Sequence, residues 1–381
     1  MPPINEFRLP EVTHFGWGAV ERVGAEAARM GKRALLVTGR SAMKRTGVTD
    51  RVCSLLRAAG VDVFTFDEVE ADPSSATIQE GARVALREKR ELVIGLGGGS
   101  PMDAARAIAA MAVLDGHILD YTRGKPVDRP GLPLINIATT AGTASEITPF
   151  AVVLDEGRKL KIGIKSVHWF ARAAITDPEL TLTMSPELTA ATGLDALTHA
   201  VESYLSTGAT PPSEALALKA VGLIGANLRA AVADGTNRQA REGMALASML
   251  AGMAFANSGL GLVHGLVHPI GTRFGLPHGL ACGRLLPAVL RFNLPAAEEK
   301  LTHVARSLTG KESVGADDAI TAVEALLREV GVPSGIADLQ IPADQMPSLA
   351  EDGLVAGAVR TNPRPVSKDD ARAVLDQARE G

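Results

Sequence analysis

Apolar and polar positions follow two patterns along this chain, and the pattern changes once. In the first half, short apolar runs alternate with amphipathic segments. Residues 33–38 (RALLVT), 92–96 and 134–138 are apolar runs of the kind that form strands buried on both faces. Residues 61–66 alternate as a further strand. Residues 48–59 have helical spacing, with Leu55 and Leu56 facing inward. Phe15-Gly16-Trp17-Gly18 reads as a turn before a helix that begins near Ala19. Asp72-Pro73-Ser74 opens another helix, with Asp72 as its cap and Pro73 in its first turn. Residues 152–155 and 159–164 read as a short hairpin. Residues 173–176 are a last strand, ended by Asp177-Pro178. Such alternation predicts a parallel sheet covered by helices.

From Ser185-Pro186, a cap and first-turn pair, the periodicity is helical. The predicted helices are 188–205, 213–233, 238–256, 262–273, 285–292, 296–308, 316–330, part of 342–350, and 368–379. Residues 361–365 (TNPRP) read as a loop. The expected organisation is an α/β N-terminal domain over 1–183, with a parallel sheet and a Rossmann-like nucleotide site. An all-α C-terminal domain over 184–381 follows. No internal repeat or low-complexity tract interrupts it.

Composition narrows the function classes. The length, 381 residues, suits about two domains, and 46% apolar residues allow a substantial core. A net charge of −4 gives no basic footprint for nucleic acid. Cys53 and Cys282 make no disulfide framework and fit a reducing compartment. No apolar run is expected to reach the length of a membrane span, and no signal pattern opens the chain. A soluble cytoplasmic protein is the expectation.

Two stretches carry candidate chemistry. Gly97-Gly98-Gly99-Ser100-Pro101-Met102-Asp103 joins a strand to a helix. Glycines let a phosphate approach the backbone, and the helix N-terminus offers free N–H groups. The spacing is neither Gly-x-Gly-x-x-Gly nor a Walker motif, so a tight turn without ligand is the alternative. Thr139, Thr140, Thr143 and Ser145 follow the next strand and could line the same crevice; an ordinary polar loop is the alternative. The second stretch is residues 193–279. Asp195 and His199 are i and i+4 on a helix, as are His264 and His268, and His278 follows. Four of the eight histidines fall here. A lone histidine on an apolar helix is usually a core residue bonded to a carbonyl. A carboxylate with several imidazoles on apolar helices needs partners, and a divalent metal would satisfy them together.

These motifs, in this order, resemble the iron-containing (group III) alcohol dehydrogenase family over nearly the whole chain. The resemblance implies metal ligands at Asp195, His199, His264 and His278, holding Fe(II) or alternatively Zn(II). It places His268 near the substrate as the proton-relaying residue. It puts Gly97, Gly98, Gly99, Ser100 and Asp103 at the cofactor pyrophosphate, and Thr139, Thr140 and Thr143 around the cofactor. Lys161 matches a lysine near the nicotinamide end, and Leu180 a residue beside the adenosine. Two positions depart from the family. Gly39-Arg40-Ser41 stands where NAD-preferring relatives carry an Asp, so the expectation is NAD or NADP, with NADP tolerated or preferred. Arg40 as a solvated surface charge is the alternative. Ala144 replaces a usual Gly, a change expected to be harmless.

The implied activity is metal-dependent, reversible oxidation of a small alcohol or diol to an aldehyde or ketone. The implied assembly is a homodimer or larger homo-oligomer. One rival is a glycerol dehydrogenase or dehydroquinate synthase-like enzyme of the same architecture. The other is a nucleotide- and metal-binding protein without turnover.

Overall fold

The computed structural model describes residues 6–158 and 160–380. Lys159, expected to begin a strand, lies outside the described residues. The chain divides into two compact units. One comprises Arg8–Thr140 and Ala144–Thr183. The other is built from Met184 onward and takes in Ala141–Thr143 and, at the other end, Glu6 and Phe7.

The first unit is the expected α/β fold. In chain order it runs β1 (Val12–Phe15), α1 (Val23–Met30), β2 (Arg33–Gly39), α2 (Ala42–Arg45), α3 (Val48–Ala58), β3 (Asp62–Val69), α4 (Ser75–Arg87), β4 (Leu92–Gly97), α5 (Gly99–Met111), α6 (Ile118–Thr122), β5 (Leu134–Ala138), β6 (Phe150–Asp155), β7 (Leu160–Lys165) and β8 (Ala173–Thr176). Six strands form one sheet in the order β1-β8-β5-β4-β2-β3, all parallel. β6 and β7 pair antiparallel beside it.

Strand β2 shows why helices cover both faces. Ala34 and Leu36 pack with Val23 and Val52 of α1 and α3, while Leu35 and Val37 pack with Ile78 and Ile108 of α4 and α5. The carboxyl ends of the strands are in step: Thr38 pairs with Leu96, Gly97 with Ala138, and Ala138 with Thr176. The loops after β2, β4, β5 and β8 therefore leave from one edge, where open α/β sheets bind ligands.

Some local expectations are corrected. Ser74, not Asp72, caps α4: its Oγ accepts the Thr77 N–H at 3.1 Å. Asp72 instead takes φ +58° and pairs with Lys161. Strand β1 was not anticipated, since four half-buried residues show no period. Ala144 sits at φ +50° and is buried. An L side chain in that region is strained by about 1 kcal/mol, so replacing glycine there is not conformationally neutral.

The second unit is helical: α7 (Pro186–Leu205), α8 (Pro211–Ala233), α9 (Arg238–Ser258), α10 (Leu262–Phe274), α11 (His278–Thr309), α12 (Asp317–Glu329), α13 (Met346–Leu354) and α14 (Lys368–Glu380). Ser185 caps α7 as expected, its Oγ accepting the Leu188 N–H. The two helices expected over 285–292 and 296–308 merge into α11, which begins at His278 and breaks from helical geometry at Ala297. The expectation of no run of membrane-span length is also corrected. Helix α8 is long and apolar enough by composition, and so is the α9–α10 pair, bent by 108°. Helix α8 carries Glu214, Lys219 and Arg229. Its Ala217, Ala220, Val221, Ile224 and Leu228 are buried in the helical core.

Candidate metal and nucleotide sites

Helical periodicity and two close helix contacts assemble one cluster in the helical unit. On α7, Asp195, His199 and Glu202 fall at i, i+4 and i+7, so they share a face. Helix α10 contributes His264 and His268. Helix α11 contributes His278 at its first position and Cys282 one turn later. Gly279 lets α11 approach α7: a Cβ there would lie 2.2 Å from the Ala191 carbonyl oxygen and 3.2 Å from the Asp195 Cβ. Gly283, one turn on, meets Leu194 in the same way.

The geometry converges on one atom. Nε2 of His199, His264 and His278 lie 3.9, 3.9 and 3.6 Å from Asp195 Oδ1. That oxygen is buried and accepts no hydrogen bond. Asp195 and His264 are almost fully buried, whereas 37% of the His278 side chain is exposed. The His199 ring stacks between Phe255 and His264, with centroids at 4.4 and 4.6 Å. His268 is half-buried and its ring stacks on His278 at 5.5 Å.

Charge states follow from the surroundings. Burial opposes ionisation of Asp195, but His199, His278 and His264 outweigh it and hold the carboxyl below its usual range. Burial, with His199 beside it, pushes His264 well below the ordinary imidazole value, so this ring is neutral. Its Nδ1–H donates to Glu202 Oε2 at 2.6 Å, which leaves a lone pair on Nε2. Glu202 also accepts the Val263 N–H at 2.6 Å. Burial raises its own carboxyl to about 7, against the N–H groups that lower it. An ionised carboxylate faced by three imidazole nitrogens, too far apart for direct hydrogen bonds, is a donor set that suits a divalent cation.

The second candidate site lies in the α/β unit. Gly97 takes φ +150°, and a Cβ there would come within 2.8 Å of Pro101, so the turn from β4 into α5 requires glycine. No side chain caps the N-terminus of α5 at Gly98, which leaves its N–H groups for a ligand. Gly98 faces Thr140, and the Thr139 N–H donates to the Gly97 carbonyl at 2.9 Å. Ser100 Oγ accepts the Asp72 N–H, and Lys161 Nζ lies 2.7 Å from Asp72. Gly97, Gly98, Gly99, Ser100, Thr139, Thr140 and Lys161 thus gather around one loop.

Other expected cofactor residues stand differently. Asp103 is buried, paired with Arg106 at 3.2 Å and accepting the Val152 N–H at 3.0 Å. Leu180 is packed in the core of one sheet face. Thr143 belongs to the segment grouped with the helical unit, where neighbouring Gly142 packs on Thr192. A Cβ on Gly39 would make only ordinary contacts, at 3.6 Å from Val69 O, so packing does not enforce glycine there. Arg40 is exposed, its Nε donating to the Glu68 carbonyl.

Sequence reasoning missed Glu202 and gave Cys282 no role at this cluster. Both were findable. Glu202 is seven residues beyond Asp195 and Cys282 four beyond His278, each on a face already singled out. Sγ of Cys282 lies with donor atoms of Asp195, His264 and His278, all within 4.8 Å of one another.

Comparison with known proteins identifies the family. Residues 10–178 match the model for the iron-containing alcohol dehydrogenases, and residues 189–379 match that for the C-terminal part of the Fe-containing alcohol dehydrogenase family. The chain is 40% identical to a 1,3-propanediol dehydrogenase of Klebsiella pneumoniae, over 98% of each chain. It is 37% identical to an NAD-dependent methanol dehydrogenase of Bacillus methanolicus, over 98% of this chain and 100% of that one. A crystal structure of a 1,3-propanediol oxidoreductase superposes with a TM-score of 0.95 at 38% identity, covering 99% of this chain and all of the other. The chain belongs to the iron-containing alcohol dehydrogenase family.

Proposed function

We propose that this member of the iron-containing alcohol dehydrogenases catalyses reversible oxidation of a small alcohol or diol to the aldehyde or ketone. NAD or NADP is the hydride carrier, and Asp195, His199, His264 and His278 hold a divalent ion, Fe(II) or Zn(II). The observation that carries this reading is the convergence of three imidazole Nε2 atoms on the orphaned Oδ1 of Asp195. The names of the relatives, a 1,3-propanediol and a methanol dehydrogenase, support a short alcohol or diol as substrate. The rivals, a lyase-type enzyme of the same architecture and a binding protein without turnover, are not favoured by this kinship.

The ion, when bound, would supply Lewis-acid polarisation of a substrate oxygen. The nicotinamide would carry the hydride. The chain's own groups do the rest. Glu202 fixes the His264 tautomer so that its Nε2 lone pair stays turned toward Asp195. His268, half-buried beside His278, takes or returns the hydroxyl proton at a ring nitrogen. The Gly97–Ser100 backbone and the start of α5 bind pyrophosphate, with Thr139 and Thr140 beside them as hydroxyl donors, while Thr143 is a further residue around the cofactor. Lys161 adds a positive charge beside that loop. Asp103 works from inside, tying α5 to β6 through the Val152 N–H. Leu180 supports the adenosine end through the core. Gly39 with Arg40 leaves room for a 2′-phosphate and no carboxylate to repel it, so NADP is accepted. The two free cysteines fit the reducing cytoplasm. A homo-oligomer is the proposed assembly.

The test is reduced-cofactor formation from a panel of small alcohols and diols, with NAD and NADP separately. It uses protein loaded anaerobically with Fe(II) or Zn(II) and chelator-stripped protein. Turnover that needs metal supports the reading. Equal turnover after complete metal removal, or cofactor binding without turnover on any substrate, overturns it.

A further inference from the structure

Helix α5 carries more than the N–H groups at its start. Asp103 stands one turn in, and Arg106 almost one turn further, with its side chain fully buried. The Arg106 guanidinium is turned into the α/β unit. Nε donates to the Trp169 carbonyl at 3.0 Å, Nη1 to Asp103 Oδ1 at 3.2 Å and to the Phe150 carbonyl, and Nη2 to the Ser145 carbonyl. Asp103 Oδ2 accepts the Val152 N–H at 3.0 Å. The pair therefore ties α5 to three separate segments: the loop after β5, the first residues of β6, and the turn before β8.

Two of these segments lead to residues of the nucleotide site. Thr139 and Thr140 open the loop that contains Ser145. Strand β6 pairs with β7, where Lys161 stands opposite Leu154. That hairpin is not part of the six-stranded sheet, so the ladder that aligns β4 with β5 does not place Lys161. Strand β6 is anchored instead by the Leu154 N–H on the Pro73 carbonyl, at 2.9 Å, and by the Asp103–Arg106 pair. This second anchor starts from the same helix as the Gly97–Ser100 turn.

Fold stability is a weak reason for such a pair. Buried charges lose their hydration, and well-packed apolar side chains in their place often leave a protein as stable. Apolar side chains cannot hold three carbonyl oxygens at set places. A guanidinium can, because its donors are fixed in one plane.

We propose that Arg106, anchored by Asp103, is the positioning residue of the nucleotide crevice. It sets where Thr139, Thr140 and Lys161 stand relative to the phosphate-binding turn. The inference rests on the nucleotide site proposed above and adds a residue that acts on the cofactor only through others.

The test is calorimetric titration of the full chain with NAD, NADP and AMP, at a temperature where thermal unfolding shows each variant to be folded. AMP lacks the second phosphate and the nicotinamide end, so it reports a general loosening of the unit. In Arg106→Met the Kd for NAD and NADP rises by about tenfold or more, because the walls of the crevice are no longer preorganised, and the Kd for AMP changes much less. Arg106→Lys keeps three donors for Asp103, Phe150 and Ser145, and recovers NAD affinity to within about threefold of the parent. Arg106→Met leaves Asp103 buried without its partner. Where that chain does not fold, Asp103→Asn combined with Arg106→Met removes the charge and still offers the Val152 N–H an acceptor. Parental NAD affinity in either variant, equal losses for NAD and AMP, or no recovery in Arg106→Lys overturns the inference and leaves the nucleotide site standing. A parent chain that binds neither NAD nor NADP overturns both.

Discussion

Glu202 Oε2 lies 2.6 Å from His264 Nδ1, deep in the helical unit, and this contact decides which nitrogen of the ring faces Asp195. With Nδ1 committed as donor, Nε2 keeps its lone pair. Glu202 would otherwise be a costly burial, and the Val263 N–H shares in satisfying it. Glu202→Gln weakens this second contact shell, since an amide is a poorer acceptor than a carboxylate. Metal affinity falls by about 10–100-fold, read by titration against a competing chelator. Unchanged affinity would show that the tautomer is set in some other way.

His268 borders the centre without joining the compact set of donors. His268→Gln lowers kcat by about 10²-fold or more if the ring moves the proton, with bound metal unchanged by elemental analysis. Loss of the metal in this variant would move His268 into the ligand set and sink the proton role.

Gly39 has room for a side chain, so a carboxylate introduced there tests cofactor choice and not packing. Gly39→Asp places a negative charge at the end of β2, where it can accept from ribose hydroxyls and repel a 2′-phosphate. The ratio of kcat/KM for NAD over NADP rises by about tenfold or more, equivalent to ~1.4 kcal/mol. A ratio that stays constant would mean that the ribose lies elsewhere.

Glu146, buried in the α/β unit, accepts from Thr176 Oγ1 at 2.9 Å. Burial pushes its carboxyl up to about 7 from 4.5, with Thr176 and Arg106 only partly offsetting the rise. The folded chain therefore holds this proton more tightly than the unfolded chain. Its stabilising effect is complete below pH 4.5 and is lost as pH rises through 7. Glu146→Gln keeps a neutral acceptor at every pH. Its stability matches the parent near pH 4 and exceeds it above pH 7.5 by up to about 3 kcal/mol, measured by urea unfolding of metal-free protein. A constant difference across pH would show that Glu146 does not titrate in this range.

Gly279→Ala forces a Cβ into the Ala191 carbonyl and against Asp195. Stability falls by about 1–3 kcal/mol, and His278 is carried away from Asp195. Thermal unfolding of the metal-free chain and bound metal per chain both register the change. Retention of full metal content would show that α11 adjusts without moving His278.

The sequence alone determined the change from alternating strands and helices to helices only, because burial on one or two faces leaves a periodicity that needs no tertiary information. It determined the glycine loop, since a strand running into Gly-Gly-Gly-Ser and then a helix admits few backbone paths. It also gathered Asp195, His199, His264, His268 and His278 into one stretch, because polar groups on apolar helices are costly unless they meet; the choice of Asp195, His199, His264 and His278 among them as ligands came from the family resemblance. Tertiary structure decided what they meet. Which nitrogen of His264 faces inward depends on Glu202, from another helix. How near the Cys282 thiol comes to His264 and His278 depends on the close approach of α11 to α7 at Gly279 and Gly283. Asp103 looked like a loop residue and became an internal tie because β6 packs over it and the Val152 N–H donates to its carboxylate. Asp72 lost the cap of α4 to Ser74 because a left-handed turn swung it toward Lys161. Each of these outcomes rests on contacts between distant segments, which local spacing does not encode.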